Sequence, residues 1–153
     1  RVRVESQRDA TLEALQVSEE KYRALFEAST DAIFLETLDG RVLDCNAAAC
    51  NIYGYTQEEL VGLTVADLVP EEVARRLPGV ITEEATTGGV FVEATGRRKD
   101  GSAFPAQVST RLATVGGRQL VIAYVRDITA QVQAEETLKE TRDQLEVALQ
   151  KRS

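Results

Sequence analysis

The 153-residue chain reads as an α+β domain, an antiparallel sheet with helices against one face. Three observations predict it. From Phe104 onward Phe104, Ala106, Val108, Thr110 and Leu112 alternate with Gln107, Ser109 and Arg111, the period-two pattern of a strand with one face in a core. The run Leu-Val-Ile-Ala-Tyr-Val at 120–125 is apolar on both sides, which predicts a central strand covered on both faces. Asp39-Gly40, Asp100-Gly101 and Gly116-Gly117 suit tight turns that need positive φ, and they divide the strands into two hairpin groups with short helices between.

In chain order, residues 1–29 contain no Gly or Pro, and Leu12, Leu15, Glu19, Tyr22 and Phe26 recur at spacings of three and four. This predicts a helix, broken near Ser18, whose first part is too thinly apolar to hold without a partner. Ala32–Thr37 is a strand, Asp39-Gly40 its turn and Arg41–Cys45 the return strand. Asn46 is placed to cap a short helix ending at Gly54. Thr56-Gln57-Glu58-Glu59 is a capping box opening another, and Val65–Val69 reads as a helical turn. Pro70 starts a longer helix through about Glu84, interrupted near Pro78-Gly79. Val90–Lys99 is the third strand, with Val90, Val92 and Ala94 on one side. After Asp127 the chain is helical again, and Ile128, Leu138, Leu145 and Leu149 fit a weak coiled-coil seam.

Composition narrows the function classes. With 43% apolar residues the chain supports one core of ordinary size. Net charge is −7 and the acid is spread along the chain, which argues against a nucleic-acid partner. Arg97, Arg98 and Lys99 form the one basic cluster of the core and read as a solvated hairpin end. No run approaches the ~18 apolar residues of a membrane helix and no signal-peptide pattern opens the chain, so no membrane segment and a cytoplasmic location are expected. Cys45 and Cys50 lack a second pair to complete a zinc site and are expected to be buried free thiols. The chain has no His, no Gly-rich phosphate loop and no nucleophile-plus-base arrangement, so no enzyme activity is expected. Its first residue is not Met, and we expect a piece of a larger protein.

Six short motifs in fixed order extend this reading. Glu20-Lys21-Tyr22-Arg23-Ala24-Leu25-Phe26-Glu27, Asp39-Gly40-Arg41-Val42-Leu43 leading to Asn46-Ala47-Ala48-Ala49, Tyr53-Gly54-Tyr55, Glu58-Glu59-Leu60-Val61-Gly62, Arg98-Lys99-Asp100-Gly101-Ser102 and Arg126-Asp127-Ile128-Thr129 closely resemble a bacterial PAS domain with its C-terminal PAC motif. The resemblance covers roughly residues 18–131. It implies a five-stranded antiparallel sheet in the order 2-1-5-4-3, with Leu120–Val125 in the middle and a pocket between the short helices and the inner sheet face. The chain then divides into an N-terminal coiled-coil helix (1–17), the PAS domain (18–129) and a C-terminal signalling helix (130–153).

The cofactors of such domains are tested against the residues present. Haem held by His is excluded, because the chain has none. A light-sensing flavin–cysteine adduct is excluded too, since Val65 stands where the reactive thiol of the resembling motif would be, and Cys45 and Cys50 lie on other elements. An unknown small organic ligand, or none, is left. Phe34, Tyr53, Tyr55, Phe91 and Phe104 are the candidates to line a pocket, with Val121, Ala123 and Val125 as its floor; the same aromatics also suit an ordinary filled core.

The resemblance implies a sensory module that passes a ligand- or packing-induced change to an output domain, a histidine kinase or a cyclic-dinucleotide enzyme, absent from this chain. Asp127 and Thr129 match the hinge where the last strand meets the exit helix, and either can cap that helix. A homodimer is expected, with Leu12, Leu15, Tyr22, Leu138, Leu145 and Leu149 as candidate interface residues. The other reading is a constitutive dimerisation or scaffold module with no sensed ligand.

Overall fold

The computed structural model describes residues 2–152. Five strands, β1 (Ala32–Glu36), β2 (Val42–Cys45), β3 (Gly89–Arg97), β4 (Ala103–Val115) and β5 (Arg118–Asp127), form one antiparallel sheet in the order β2-β1-β5-β4-β3. This is the order the resemblance implies. β5 is hydrogen-bonded on both sides, Ala32–Glu36 against Val125–Val121 and Ala106–Val115 against Asp127–Arg118. Gly116 and Gly117, at φ 57° and 75°, make the two-residue turn between β4 and β5, a backbone that only glycine adopts without strain at both positions.

On the inner face of the sheet lie α2 (Ala47–Tyr53), α3 (Gln57–Leu60), a 3₁₀ turn (Val65–Leu68), α4 (Glu71–Ala74) and α5 (Leu77–Thr87). Asn46 caps α2, accepting from Ala49 N at 3.1 Å, and Thr56 with Glu59 forms the capping box of α3. The core gathers Ala32, Phe34, Val42, Cys45, Tyr53, Leu60, Phe104, Ala106, Ala123 and Val125. At Gly96 on β3 an added Cβ would lie 2.5 Å from the Phe104 ring, so the absent side chain is what lets that ring lie across the strand.

Asn46 also ties elements far apart in sequence. Its Nδ2 donates to the carbonyls of Phe26 at 2.9 Å and Asp31 at 3.0 Å, and its Oδ1 accepts from Ile33 N at 2.9 Å. Only 1% exposed, it joins the end of the N-terminal helix, the start of β1 and the start of α2. Burial without partners would make such a group costly, and here every donor and acceptor it uses is satisfied.

Three expectations need correction. The N-terminal helix, α1 (Val2–Ala28), runs without a break through Ser18, because 27 residues free of Gly and Pro offer nothing to interrupt it. The helical break falls at Arg75 and Arg76, before Pro78; proline sits in the first turn of α5, where its missing N–H is tolerated, rather than inside a helix it would break. Ile128 precedes the C-terminal helix, α6 (Thr129–Arg152), and is buried against the domain, with its N–H donated to Pro105 O at 3.1 Å, so it is not a seam residue. The outer side of β5 is not fully covered within one chain. Tyr124 is 40% exposed, because α1 buries only Phe26 and is exposed over residues 3–25.

Candidate functional site

A cavity of about 360 Å³ lies between the inner sheet face and the short helices. The sheet contributes Phe34 and Glu36 from β1, Val90, Val92 and Ala94 from β3, Val108 and Thr110 from β4, and Ala123 and Val125 from β5. Facing them are Tyr53 of α2, Val65 and Leu68 of the 3₁₀ turn, Val73 of α4 and Leu77, Val80, Ile81 and Glu84 of α5, with Arg76 exposed at the rim. The size falls in the ordinary range of small-molecule sites, and the walls are mostly apolar.

Of the eight sequence candidates, Phe34, Tyr53, Ala123 and Val125 line this cavity. Phe104 and Val121 are buried beside it without reaching it, and Tyr55 packs against the core from outside. Phe91 is a correction. It is 69% exposed on the outer sheet face, since side chains alternate along β3 and both its neighbours, Val90 and Val92, point inward.

Two carboxyl groups enter an otherwise apolar chamber. Glu36 is 6% exposed and lines the cavity; among the described residues its side chain makes no hydrogen bond or ion pair, and no fully buried side-chain polar atom is left without a partner. Burial, and after it the charge of Glu84, pushes its carboxyl up from the ordinary 4.5 to about 8. Glu84 is raised as well, by burial, against the lowering effect of a hydrogen bond with the Thr110 hydroxyl. The Tyr53 phenol is raised by burial and then by Glu36. Glu36 is absent from the sequence candidates, although its position two residues after Phe34 places it on the same face. A bulge aids this placement: β2 pairs Leu35 with Asp44 but Glu36 with Val42, so the skipped Leu43 lets both Val42 and Cys45 face inward. Burial, and then its neighbour Cys50, pushes the Cys45 thiol up to about 12, which makes it an inert core group.

From the cavity wall a line of contacts runs to the exit helix. Tyr53 packs edge-on against Phe34 at 5.6 Å and against Phe104 at 5.3 Å. The Arg98 guanidinium lies 4.4 Å above the Phe104 ring and donates to Asp127 Oδ2 at 3.0 Å. Asp127 Oδ1 accepts from Thr129 N at 2.9 Å and from the Thr129 hydroxyl, closing the first turn of α6. The expectation of a solvated basic hairpin end is therefore corrected. Arg98 holds Asp127, Lys99 Nζ reaches Glu59 Oε2 at 2.6 Å, and Arg97 donates to Asp67 O at 3.3 Å. The partners are 29 to 40 residues away in sequence, which is why no local pattern signals them.

The remaining candidates, Leu12, Leu15 and Tyr22 on α1 and Leu138, Leu145 and Leu149 on α6, are all exposed in the single chain. Tyr22 stacks on Phe26 at 5.4 Å beneath the Arg23 guanidinium. No helix among the described residues is long and apolar enough to cross a membrane.

A five-stranded antiparallel sheet in the order β2-β1-β5-β4-β3 with a chamber under short helices defines the fold class. A model of the PAS domain family matches residues 30–130, and the chain belongs to that family. It is 31% identical over 136 residues to the sensor histidine kinase TmoS of Ectopseudomonas mendocina, covering 86% of this chain and 14% of that protein. It is 28% identical over 137 residues to the sensor protein FixL of Bradyrhizobium diazoefficiens, covering 86% of this chain and 27% of the relative. The chain thus spans well under a third of either curated relative's length. The crystal structure of a PAS domain from an HTR-like protein of Haloarcula marismortui matches with a TM-score of 0.71 at 23% identity, over 78% of this chain and 99% of that one, and shows the common fold.

The buried carboxyl makes stability depend on pH. Below about 4.5 Glu36 is protonated folded or unfolded and contributes nothing; between 4.5 and about 8 the unfolded chain gives up a proton that the folded one retains, so stability falls as pH rises. Above about 8 this contribution levels off, after a total loss on the order of 5 kcal/mol. Glu84, Tyr53, Arg76 and, exposed at the opening, Glu93 are the other ionisable groups lining the cavity, and Glu84 adds to the loss with the same sign. Denaturant titrations from pH 5 to pH 8 are expected to show a declining midpoint for the wild type and a much flatter one for Glu36→Gln, which is the more stable at pH 8. Parallel curves would show that Glu36 is not held protonated.

Proposed function

We propose that this domain is the input module of a longer sensor protein. A small molecule entering the cavity presses on β5, and the displacement alters how α6 leaves the sheet toward an output domain, a histidine kinase or a cyclic-dinucleotide enzyme. One observation carries the reading: the strand that floors the cavity with Ala123 and Val125 ends two residues later in Asp127, which holds both Arg98 and the first turn of α6. A shift of β5 is felt at that joint because packed interiors have few intermediate arrangements. The two relatives named as sensors support the role. The signal leaves the domain at residues 18–129 through the segment 130–153, and residues 2–17 extend α1 beyond the domain.

The working unit in this proposal is a homodimer. α1 and α6 expose Leu12, Leu15, Tyr22, Leu138, Leu145 and Leu149, and the outer sheet face exposes Phe91 and Tyr124. Pairing two copies would cover both the helical seams and the apolar side of β5. The same surfaces favour the second reading, a constitutive dimerisation module, but that reading needs a filled core, and a cavity of about 360 Å³ counts against it.

Two outcomes follow. Asp127→Ala in the full-length protein removes the Arg98 partner and the cap of α6, so the output is expected to stop responding to stimulus while the domain loses only about 1–2 kcal/mol of stability. An unchanged response would reject Asp127 as the joint. Light scattering of the chain is expected to give the mass of two copies, and deletion of residues 1–17 should weaken association far more than it lowers the melting temperature. A monomer at high protein concentration would contradict the dimer.

A further inference from the structure

The cavity's chemistry is asymmetric. Its body is apolar, yet Glu36 and Glu84 both enter it, and the one basic side chain on its lining, Arg76, is exposed at the rim. Burial, and then the charge of Glu84, raises the Glu36 carboxyl, while Arg76 stays exposed at the rim. Glu93 also borders the opening but is exposed. Glu36 is thus more than nine-tenths buried, faces open space and has no hydrogen-bond donor opposite it among the described residues. Groups so buried are ordinarily matched by a partner. A carboxylate ligand would set its own negative charge against two carboxyl groups with no buried cation to meet it. A neutral apolar ligand would fill the space but leave Glu36 unmatched.

Building on the sensor reading, we infer that the cavity takes a small organic cation, an ammonium group on an apolar body, whose N–H donors lie between Glu36 and Glu84. The body lies against Phe34, Tyr53, Ile81 and Val108, which line the same space. Binding then proceeds with a defined proton balance. The O–H bond of the Glu36 carboxylic acid breaks, its proton passes to the solvent, and the resulting carboxylate accepts hydrogen bonds from the ligand ammonium. Because the empty site retains that proton up to about pH 8, affinity rises with pH below that point, by up to about tenfold per unit.

Isothermal titration of the full chain with phenethylammonium chloride, 3-phenylpropan-1-ol and 3-phenylpropionate at pH 6, 7 and 8 tests this directly. The three probes share a body and differ in the head group. Phenethylammonium alone is expected to bind, to tighten by several-fold per pH unit, and to release a proton seen as a buffer-dependent heat. Glu36→Gln, which removes the buried acid and keeps the fold, is expected to weaken it at least tenfold and abolish the proton release. Equal or tighter binding of the alcohol or the carboxylate would overturn the cation assignment and leave the cavity a ligand site, so the sensor reading would survive. Unchanged amine binding by Glu36→Gln, or no binding of any probe, would overturn it as well, while the coupling through Asp127 is judged separately by the output of Asp127→Ala.

Discussion

Both oxygens of one carboxylate hold the exit helix to the sheet domain. Asp127 Oδ2 accepts from Arg98 in the β3–β4 hairpin and Oδ1 from Thr129 at the head of α6, so strand, hairpin and helix share a single side chain. Neither oxygen can change partner without releasing another element. Beyond Val132 α6 is exposed along its length, and the interactions fixing its direction lie in this first turn, together with the buried Ile128. A helix attached only through its first turn is easier to redirect than one packed along its length.

The cavity is the other departure from a simple core. Close packing would fill about 360 Å³ with side chains, and a chain selected for stability alone would not direct two carboxyls into it. The rest of the molecule offsets that cost through well-satisfied contacts elsewhere: Asn46 joining three elements, the Phe34–Tyr53–Phe104 cluster, and Arg126 paired through two nitrogens with Asp31 at 3.1 Å. Local rules broken in one place and obeyed in the surroundings are the usual mark of a functional site.

Much of this fold is legible in the sequence because its signals are local. The Gly116-Gly117 turn, the Asn46 cap, the Thr56 capping box and the alternation along β4 each depend on a few neighbouring residues, and each forms as the pattern predicts. What escapes is set by distance. The partners of Arg97, Arg98 and Lys99 lie across the fold, so a basic run looks like a solvated turn. The break before Pro78 depends on which helical position the proline takes, and the exposure of Tyr124 depends on where α1 leaves the sheet. Phe91 and Glu36 are different, for strand alternation places the first outside and the second inside. Size and polarity pull the opposite way in both cases, and the backbone period decides.

In the proposed mechanism the floor of the cavity and the exit of α6 move together. Ala123→Leu adds bulk to β5 from inside the cavity, where there is room for it, and hydrogen exchange then reads the backbone amides of residues 129–135. Coupling predicts that exchange there changes severalfold while α2 and its Asn46 cap keep wild-type protection. If the leucine occupies the cavity and the first turn of α6 exchanges as in the wild type, the cavity and the helix are independent and the account fails.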